Sequence, residues 1–403
     1  MALGKTLLII GAGPDQCRAI KVAKEMGLRV AAIDRDDSAV GASSADIFAP
    51  ISTDDRYGAL AFARQVRADG VMTAISETGV PVVSFVGETL GLPAPSQLTA
   101  RLATNKNDMR RAFAEHRVPT VRSMAVQRIS EAREFVEECG LPVVLKPSDS
   151  SGQSGVSVVA NQEGLESALT QALHHSTDQT AIIEQFVDGP EINVCAVAHA
   201  GEIEILSMSY RRTLPPPFFG IAYQHIYPLS VNPDTGSAIR DAAESAIHAI
   251  GLREGIAYPQ LILSSGGPVV IEIAARVPGG YMCELAELAS GIDMIRIAIL
   301  MATRQPFDLD CLRLKDREDA VIVDFYTALS LPERTTVLHH LSGVEEASKA
   351  PGIVKAEFLI RPGDRIPPLT SSRGRFGAVV AVGKSVEEAS DRLTNAKNSI
   401  CIY

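Results

Sequence analysis

The chain has 403 residues, 46% hydrophobic and 5% aromatic, enough for two to four structural units around a large core. Its net charge of −10 argues against any general attraction to nucleic acid or anionic membranes, so neither is expected as a partner. Met1 to Lys5 runs straight into the apolar segment Leu7–Ile10, no apolar stretch reaches membrane-spanning length, and a soluble, cytoplasmic protein is expected. The six cysteines, at 17, 139, 195, 283, 311 and 401, are scattered without CxxC pairs, which indicates neither a disulfide framework nor a structural zinc site.

From the N-terminus, strand Leu7–Ile10, turn Gly11-Ala12-Gly13-Pro14, a helix through Gly27 and strand Arg29–Ile33 read as a βαβ opening. The turn lacks the third glycine of a dinucleotide fingerprint, and Pro14 removes an amide that a pyrophosphate would use, so NAD is a weak expectation. Further elements over Ala59–Val66, Gly70–Ala74 and Val80–Leu90 complete an open parallel sheet across residues 1–95, ended by Gly91-Leu92-Pro93-Ala94-Pro95. Ser96–His116 reads as two helical stretches separated at Asn105-Lys106-Asn107-Asp108.

Leu141–Leu145 is an apolar strand that ends in Lys146 and leads to the loop Ser150-Ser151-Gly152-Gln153-Ser154-Gly155. A small-residue loop lets backbone amides approach polyphosphate oxygens, and a strand-borne lysine meets their charge, so the pair reads as a phosphate grip for ATP. An ordinary hairpin beside an exposed lysine explains the segment equally well by itself. Downstream, Ala181–Val187 turns polar at Glu184, and Asp188-Gly189-Pro190 leads to Glu191. Backbone over Glu184, Gln185, Phe186 and Val187 is suited to an adenine edge, and Glu191 to ribose hydroxyls.

The segment Tyr210–His225 combines Arg211 and Arg212, the stiff run Pro215-Pro216-Pro217, and the aromatics Phe218, Phe219 and Tyr223. It is expected to wall an acceptor pocket, with an arginine on a substrate carboxylate; His225 either approaches a γ-phosphate, acts as a base, or is structural. Next, Pro268-Val269-Val270-Ile271-Glu272 is an apolar strand carrying one acid, whose burial calls for a cation such as magnesium on ATP phosphates. Arg276 is placed to hold a carboxylate or an oxyanion, and Gly279-Gly280 lets amides approach the same group. A structural Glu272–Arg276 ion pair is the alternative. Tyr281, directly after the glycines, joins the substrate candidates. Beyond residue 305, Asp319–Thr327, Gly352–Ile360 and Ala378–Val382 read as strands and Ser385–Ala396 as a serine-capped helix.

Together these motifs resemble the ATP-grasp superfamily over residues 1–305, and the terminal portion, with Arg373-Gly374-Arg375 and Gly377, is similar to the cap of L-amino acid ligases of the bacilysin type. The resemblance implies an α/β and α+β architecture: an N-terminal open parallel-sheet domain (1–95), a two-lobed ATP-binding region (96–305, mobile lid about 120–195) and a C-terminal α+β cap (306–403). It places Lys106 and Lys146 on ATP phosphates under the loop from Ser151 to Gly155, and puts Glu184 to Val187, Glu191 and Ile271 around the nucleoside. It makes Glu272 and Gln260 the magnesium positions and Arg276, Gly279, Gly280 and Lys146 the catalytic ones. Glutamine at 260 and alanine at 274 depart from the family's acid and asparagine, which leaves the number of magnesium ions open. The implied reaction is ATP-dependent activation of a small-molecule carboxylate as an acylphosphate and its coupling to an amine, in a possible homodimer. An ATP-grasp enzyme of purine or carboxylation metabolism, and a catalytically inactive nucleotide-binding protein, are the alternatives.

Overall fold

A computed structural model describes residues 4–216, 218–309, 317–333 and 335–403. Pro217 of the proline run and Cys311 lie outside the described residues. Among the described residues, no helix is long and apolar enough to cross a membrane.

The N-terminal unit alternates β1 (Thr6–Ile10), α1 (Cys17–Glu25), β2 (Arg29–Ile33), β3 (Ile47–Ala49), α2 (Arg56–Val66), β4 (Gly70–Met72) and α3 (Gly79–Leu90). Its strands pair in parallel in the order β3-β2-β1-β4. Continuously apolar runs such as Leu7–Ile10 suit this arrangement, because helices cover both faces. The turn after β1 spends its amides internally: Ala12 N donates to Asp34 Oδ2 at 2.9 Å and Gly13 N to Gln16 Oε1 at 3.1 Å. The weak dinucleotide expectation therefore gains no support, since these donors are engaged.

Helices α4 (Gln97–Thr104) and α5 (Lys106–Glu115) follow, and Asn105 both ends the first and caps the second by accepting from Asp108 N at 3.1 Å. A four-stranded antiparallel sheet ordered β5-β8-β6-β7 then stands apart as a lobe, built from β5 (Ser123–Val126), β6 (Val143–Pro147), β7 (Ser157–Val159) and β8 (Ala181–Gln185). Helices α6 (Ile129–Cys139) and α7 (Leu165–His174) bury its apolar face.

The largest sheet has eight strands in the order β13-β12-β9-β10-β11-β14-β17-β16. Its first part holds β9 (Glu191–His199), β10 (Glu202–Thr213), β11 (Ala222–Tyr227), β12 (Gly255–Ser264) and β13 (Gly267–Ala274), with α8 (Pro233–Ala249) packed on one face. Helices α9 (Met282–Ser290) and α10 (Met294–Ala302) cover the other and contact the N-terminal unit. The terminal strands β14 (Ala320–Tyr326), β16 (Ile353–Phe358) and β17 (Gly377–Gly383) extend this same sheet, because β14 pairs with β11. Short β15 (Leu341–Ser342), α11 (Val344–Ser348), α12 (Val386–Ser399) and β18 (Cys401–Ile402) complete the terminal layer, and Ser385 caps α12 by accepting from Glu388 N at 3.2 Å.

Candidate active site

A cleft of about 850 Å³ runs between the small lobe, the large sheet and the N-terminal unit. Lys146, on β6, is buried and its Nζ lies 2.7 Å from Glu184 Oε2 on the neighbouring β8. Arg110 of α5 approaches the other oxygen of Glu184, also at 2.7 Å. Burial works against charge on Glu184, but the two cations outweigh it and hold its pKa below the usual glutamate range. The Glu184 carboxylate is therefore the anchor of two cations; only its backbone remains to face a ligand. Burial likewise lowers the pKa of Lys146, with Glu184 opposing the shift.

Lys106 Nζ donates to Ser150 O at 2.6 Å and lies 3.8 Å from Glu272 Oε1, tying the small-residue loop to β13. Ser151, Gly152, Gln153 and Ser154 line the cleft. Gly155 instead supports the loop from behind, where a Cβ would stand 2.8 Å from His175 Cβ. The loop is braced from the far end of the chain, as Ser372 N donates to Gly152 O at 3.0 Å. Val144, Phe186, Val187, Ile262 and Ile271 form an apolar slot beside these polar groups, and the rings of Phe186 and Phe219 lie 6.1 Å apart. A planar base fits such a slot, with the phosphates toward the two lysines.

Burial acts against the Glu272 carboxylate, yet Lys106, Lys146, Arg276 and Arg110 overcome it and hold its pKa low. Ionised and on the cleft wall, Glu272 fits a divalent cation that takes its remaining ligands from phosphates and water. Among the described residues no group of three or more His, Cys, Asp or Glu is arranged for an all-protein metal cage. Gln260, opposite Glu272 across β12 and β13, donates its amide to Asn193 Oδ1 at 3.1 Å.

The part of the cleft around Arg276 contains the larger surprises. Arg276 does not pair with Glu272; it meets Glu77 of the N-terminal unit, with Nε and Nη2 each 2.7 Å from Oε2. Ile75 sits at φ 66, a strained conformation for a β-branched residue, and is held there by donating its N–H to Val277 O at 3.0 Å. A Cβ at Gly279 would lie 2.7 Å from Ile75 Cγ2, so the glycine is needed for this contact. Sequence reasoning missed Glu77 and Ile75, because their partners are about two hundred positions away.

Arg211 was expected on a substrate carboxylate and Glu191 on a ribose; the structure makes them partners, with Arg211 Nη1 donating to Glu191 and Nη2 to Gly220 O at 2.6 Å. Arg212, Phe218 and Tyr223 were expected in the pocket but do not line the cleft, whereas their neighbours Arg211, Phe219 and Ala222 do. On β10 and β11 successive residues face opposite ways, which separates Arg211 from Arg212 and Ala222 from Tyr223, while Phe218 and Phe219 lie in the turn between the strands; a reading of composition alone does not separate them. Tyr281 does line the cleft, at φ 60, and its hydroxyl donates to Glu357. His225 also lines it, buried and neutral, its pKa pushed well below the usual histidine value by burial, Arg375 and Arg211.

Arg375 is the residue that only the fold reveals as part of this pocket. Its guanidinium stacks over Phe325 at 4.2 Å, would stand 3.3 Å from a Cβ at Gly280, and has no carboxylate within ion-pair distance among the described residues. Burial first, and then Arg211, lower its pKa to about 10. Asp15 of the N-terminal unit faces the same group, with a pKa raised by burial against the pull of Arg375, Arg276 and Arg373.

Residues 105–309 match the family described as carbamoyl-phosphate synthase L chain, ATP binding domain. The chain belongs to the ATP-grasp ligase family. Its end, residues 329–403, matches L-amino acid ligase C-terminal domain 2. This ATP-grasp chain is 23% identical over 398 residues to a formate-dependent phosphoribosylglycinamide formyltransferase of Ignicoccus hospitalis, covering 96% of this chain and 94% of that one. It is 29% identical over 231 residues to a D-alanine–D-alanine ligase of Desulforudis audaxviator, covering 54% of this chain and 74% of that one. The crystal structure of an L-amino acid ligase from Bacillus licheniformis superposes with a TM-score of 0.85 at 22% identity, covering 100% of this chain and 99% of that one. The fold expected from the resemblance is the fold found.

Proposed function

We propose that this chain is an ATP-dependent ligase that activates a carboxylate and couples it to an amine, releasing ADP and phosphate. One observation carries the reading: the cleft lined by Lys106, Lys146, Glu272 and the small-residue loop is lined as well by Arg276, Gly279-Gly280 and Arg375, which has no carboxylate partner among the described residues. The terminal match to an L-amino acid ligase domain supports a carboxylate and an amine as the two acceptors.

In this reaction a carboxylate oxygen attacks the γ-phosphorus of ATP, the bond to ADP breaks, and the amine then displaces phosphate from the acyl carbon while losing a proton. Lys146 and Lys106 offset the negative charge that otherwise repels the attacking carboxylate. The Glu184 anchor fixes Lys146 in place before any ligand arrives, so little reorganisation is needed. Arg276, held by Glu77, and the amides of Gly279 and Gly280 stabilise charge developing on the acyl oxygen. Arg375 supplies an anion-binding group at the far end of the pocket. Magnesium, when bound at Glu272 with Gln260 nearby, adds Lewis-acid neutralisation of phosphate charge.

Glutamine at 260 favours a second reading, a nucleotide-binding protein without turnover. The similarity to a phosphoribosylglycinamide enzyme raises a third, in which the acid and amine belong to purine synthesis. Incubation with ATP, magnesium and a matrix of acids and amines, read as ADP and phosphate release, separates the three. The proposal expects release only when both an acid and an amine are present. Binding of ATP with no stimulated release supports the second reading, and release confined to phosphoribosyl substrates the third.

A further inference from the structure

His225 sits on β11 with one ring nitrogen tied down and the other unengaged. Its Nδ1 lies 3.2 Å from Asn193 Nδ2, while Nε2 hydrogen-bonds to no described residue and the side chain lines the cleft. Two further contacts decide which end of Asn193 faces the ring. Met282 Sδ, which can only accept, is 3.4 Å from the same Nδ2, and Gln260 Nε2 donates to Oδ1 at 3.1 Å. The amino end of Asn193 therefore faces the histidine. Nδ1 must accept, so in the neutral ring the proton resides on Nε2.

We infer that Gln260 and Asn193 are positioning residues that hold His225 as a neutral Nε2–H donor aimed at an anionic oxygen of the substrates, and that His225 is not a base. This deepens the ligase reading, on which the identity of that oxygen rests. Neutrality follows from the surroundings: Asn193 is fully buried, His225 is 2% exposed, Phe325 packs edge-on at 5.5 Å, and Arg211 and Arg375 disfavour a further positive charge. A base needs a free lone pair toward the cleft, and the relay places that lone pair on Asn193 instead.

The relay also gives the glutamine at 260 a reason. A carboxylate there offers Asn193 Oδ1 only another oxygen, so Asn193 is driven to turn its amide over. Its oxygen then faces Nδ1, which must take the proton, and Nε2 becomes an acceptor facing anions. The exchange of an acid for an amide at 260 thus changes the hydrogen-bonding sense of a residue two contacts away.

The test reads the proton directly. Two-bond ¹H–¹⁵N correlation spectra of histidine-labelled protein at neutral pH, without nucleotide, resolve the tautomer, and loss of a signal in His225→Phe assigns it among the eight histidines. Wild-type protein is expected to show a neutral Nε2–H ring, and Gln260→Glu an Nδ1–H ring. A proton on Nδ1 or a doubly protonated ring in wild type overturns the inference, as does Gln260→Glu with the proton still on Nε2. Should Gln260→Glu not fold, Gln260→Met removes the donor without adding charge and is expected to give a mixture of tautomers; a single Nε2–H species there overturns it equally. In turnover, His225→Phe is expected to lose about a hundredfold and Gln260→Glu at least about tenfold, while His225→Gln, which keeps an N–H, retains more than His225→Phe. Equal turnover of the Gln and Phe variants removes the donor role. If wild type releases no ADP with any acid and amine, the ligase reading fails while the tautomer result, obtained without substrates, stands on its own.

Discussion

The two halves of the cleft handle buried charge in opposite ways. On the side of the two lysines, Glu184 is clasped by Lys146 and Arg110, so each of these buried charges already has a partner before any ligand binds. On the side of Arg276 and Arg375, the half-buried Arg375 donates Nε to Ser372 O at 3.1 Å and has no acid at ion-pair distance among the described residues, while desolvation raises the pKa of Asp15. A site that must present a lysine in one position benefits from internal neutralisation, whereas a site that must recognise an anion leaves a cation unsatisfied until the anion arrives. The difference teaches that the first network is part of the fold, whereas the second is what the proposed ligase reading assigns to function.

The largest test of this contrast is Glu184→Gln. It leaves Arg110 and Lys146 facing each other without compensation, and a loss of about 3–5 kcal/mol is expected in denaturant unfolding. A loss below about 1 kcal/mol breaks the comparison. Arg276→Ala comes next, with turnover falling about a hundredfold or more, equivalent to roughly 3 kcal/mol of transition-state stabilisation. Glu77→Ala is expected to lower turnover as well, and the double variant to lose little more than Arg276→Ala alone, because the two act as a pair. Full activity of Arg276→Ala removes its catalytic role.

Arg375→Met sharpens the contrast from the other side. Removal of a half-buried cation that has no carboxylate partner among the described residues is expected to leave thermal stability unchanged or higher while weakening substrate binding about tenfold or more, read as a rise in KM for the acid or the amine. Destabilisation comparable to that of Glu184→Gln erases the distinction between the halves. The pH dependence follows from the same network. The pKa of Glu184 is depressed in the folded chain, so its stabilising contribution is complete above the ordinary glutamate pKa and fades as pH falls through the lower folded value. Acid titration of stability should therefore be flatter in Glu184→Gln, and an identical acid limb refutes the assignment. Gly279→Ala, which presses a methyl on Ile75, is expected to cost less stability than Glu184→Gln, a loss of about 1–3 kcal/mol in unfolding free energy.

Local pattern carried much of the fold into view. The alternation of apolar strands with helices over residues 6–90, the asparagine between the two helices and the serine that caps α12 are short-range features, and each forms where the spacing predicts. Lys146 at a strand end, Glu272 closing an apolar run, and the small-residue loop are equally local. Their convergence on one cleft is what the resemblance implies, whereas periodicity fixes only the element boundaries at which the motifs sit. Side-chain direction was less legible: Arg211 and Arg212 look alike in sequence, and only pairing of β10 with β9 and β11 turns one into the cleft and the other away.

The sequence by itself determined the element types, the strand-borne lysine with its small-residue loop and the strand-borne acid, since these depend on periodicity and on neighbours a few residues apart. Tertiary structure alone decided that Glu77 holds Arg276, that Arg211 meets Glu191, that Arg375 reaches the pocket from the chain's far end and that Gln260 speaks to His225 through Asn193. The physical reason is that an ion pair or hydrogen bond acts over about 3 Å, while which strands lie within that reach is set by sheet order and lobe packing, to which the whole chain contributes.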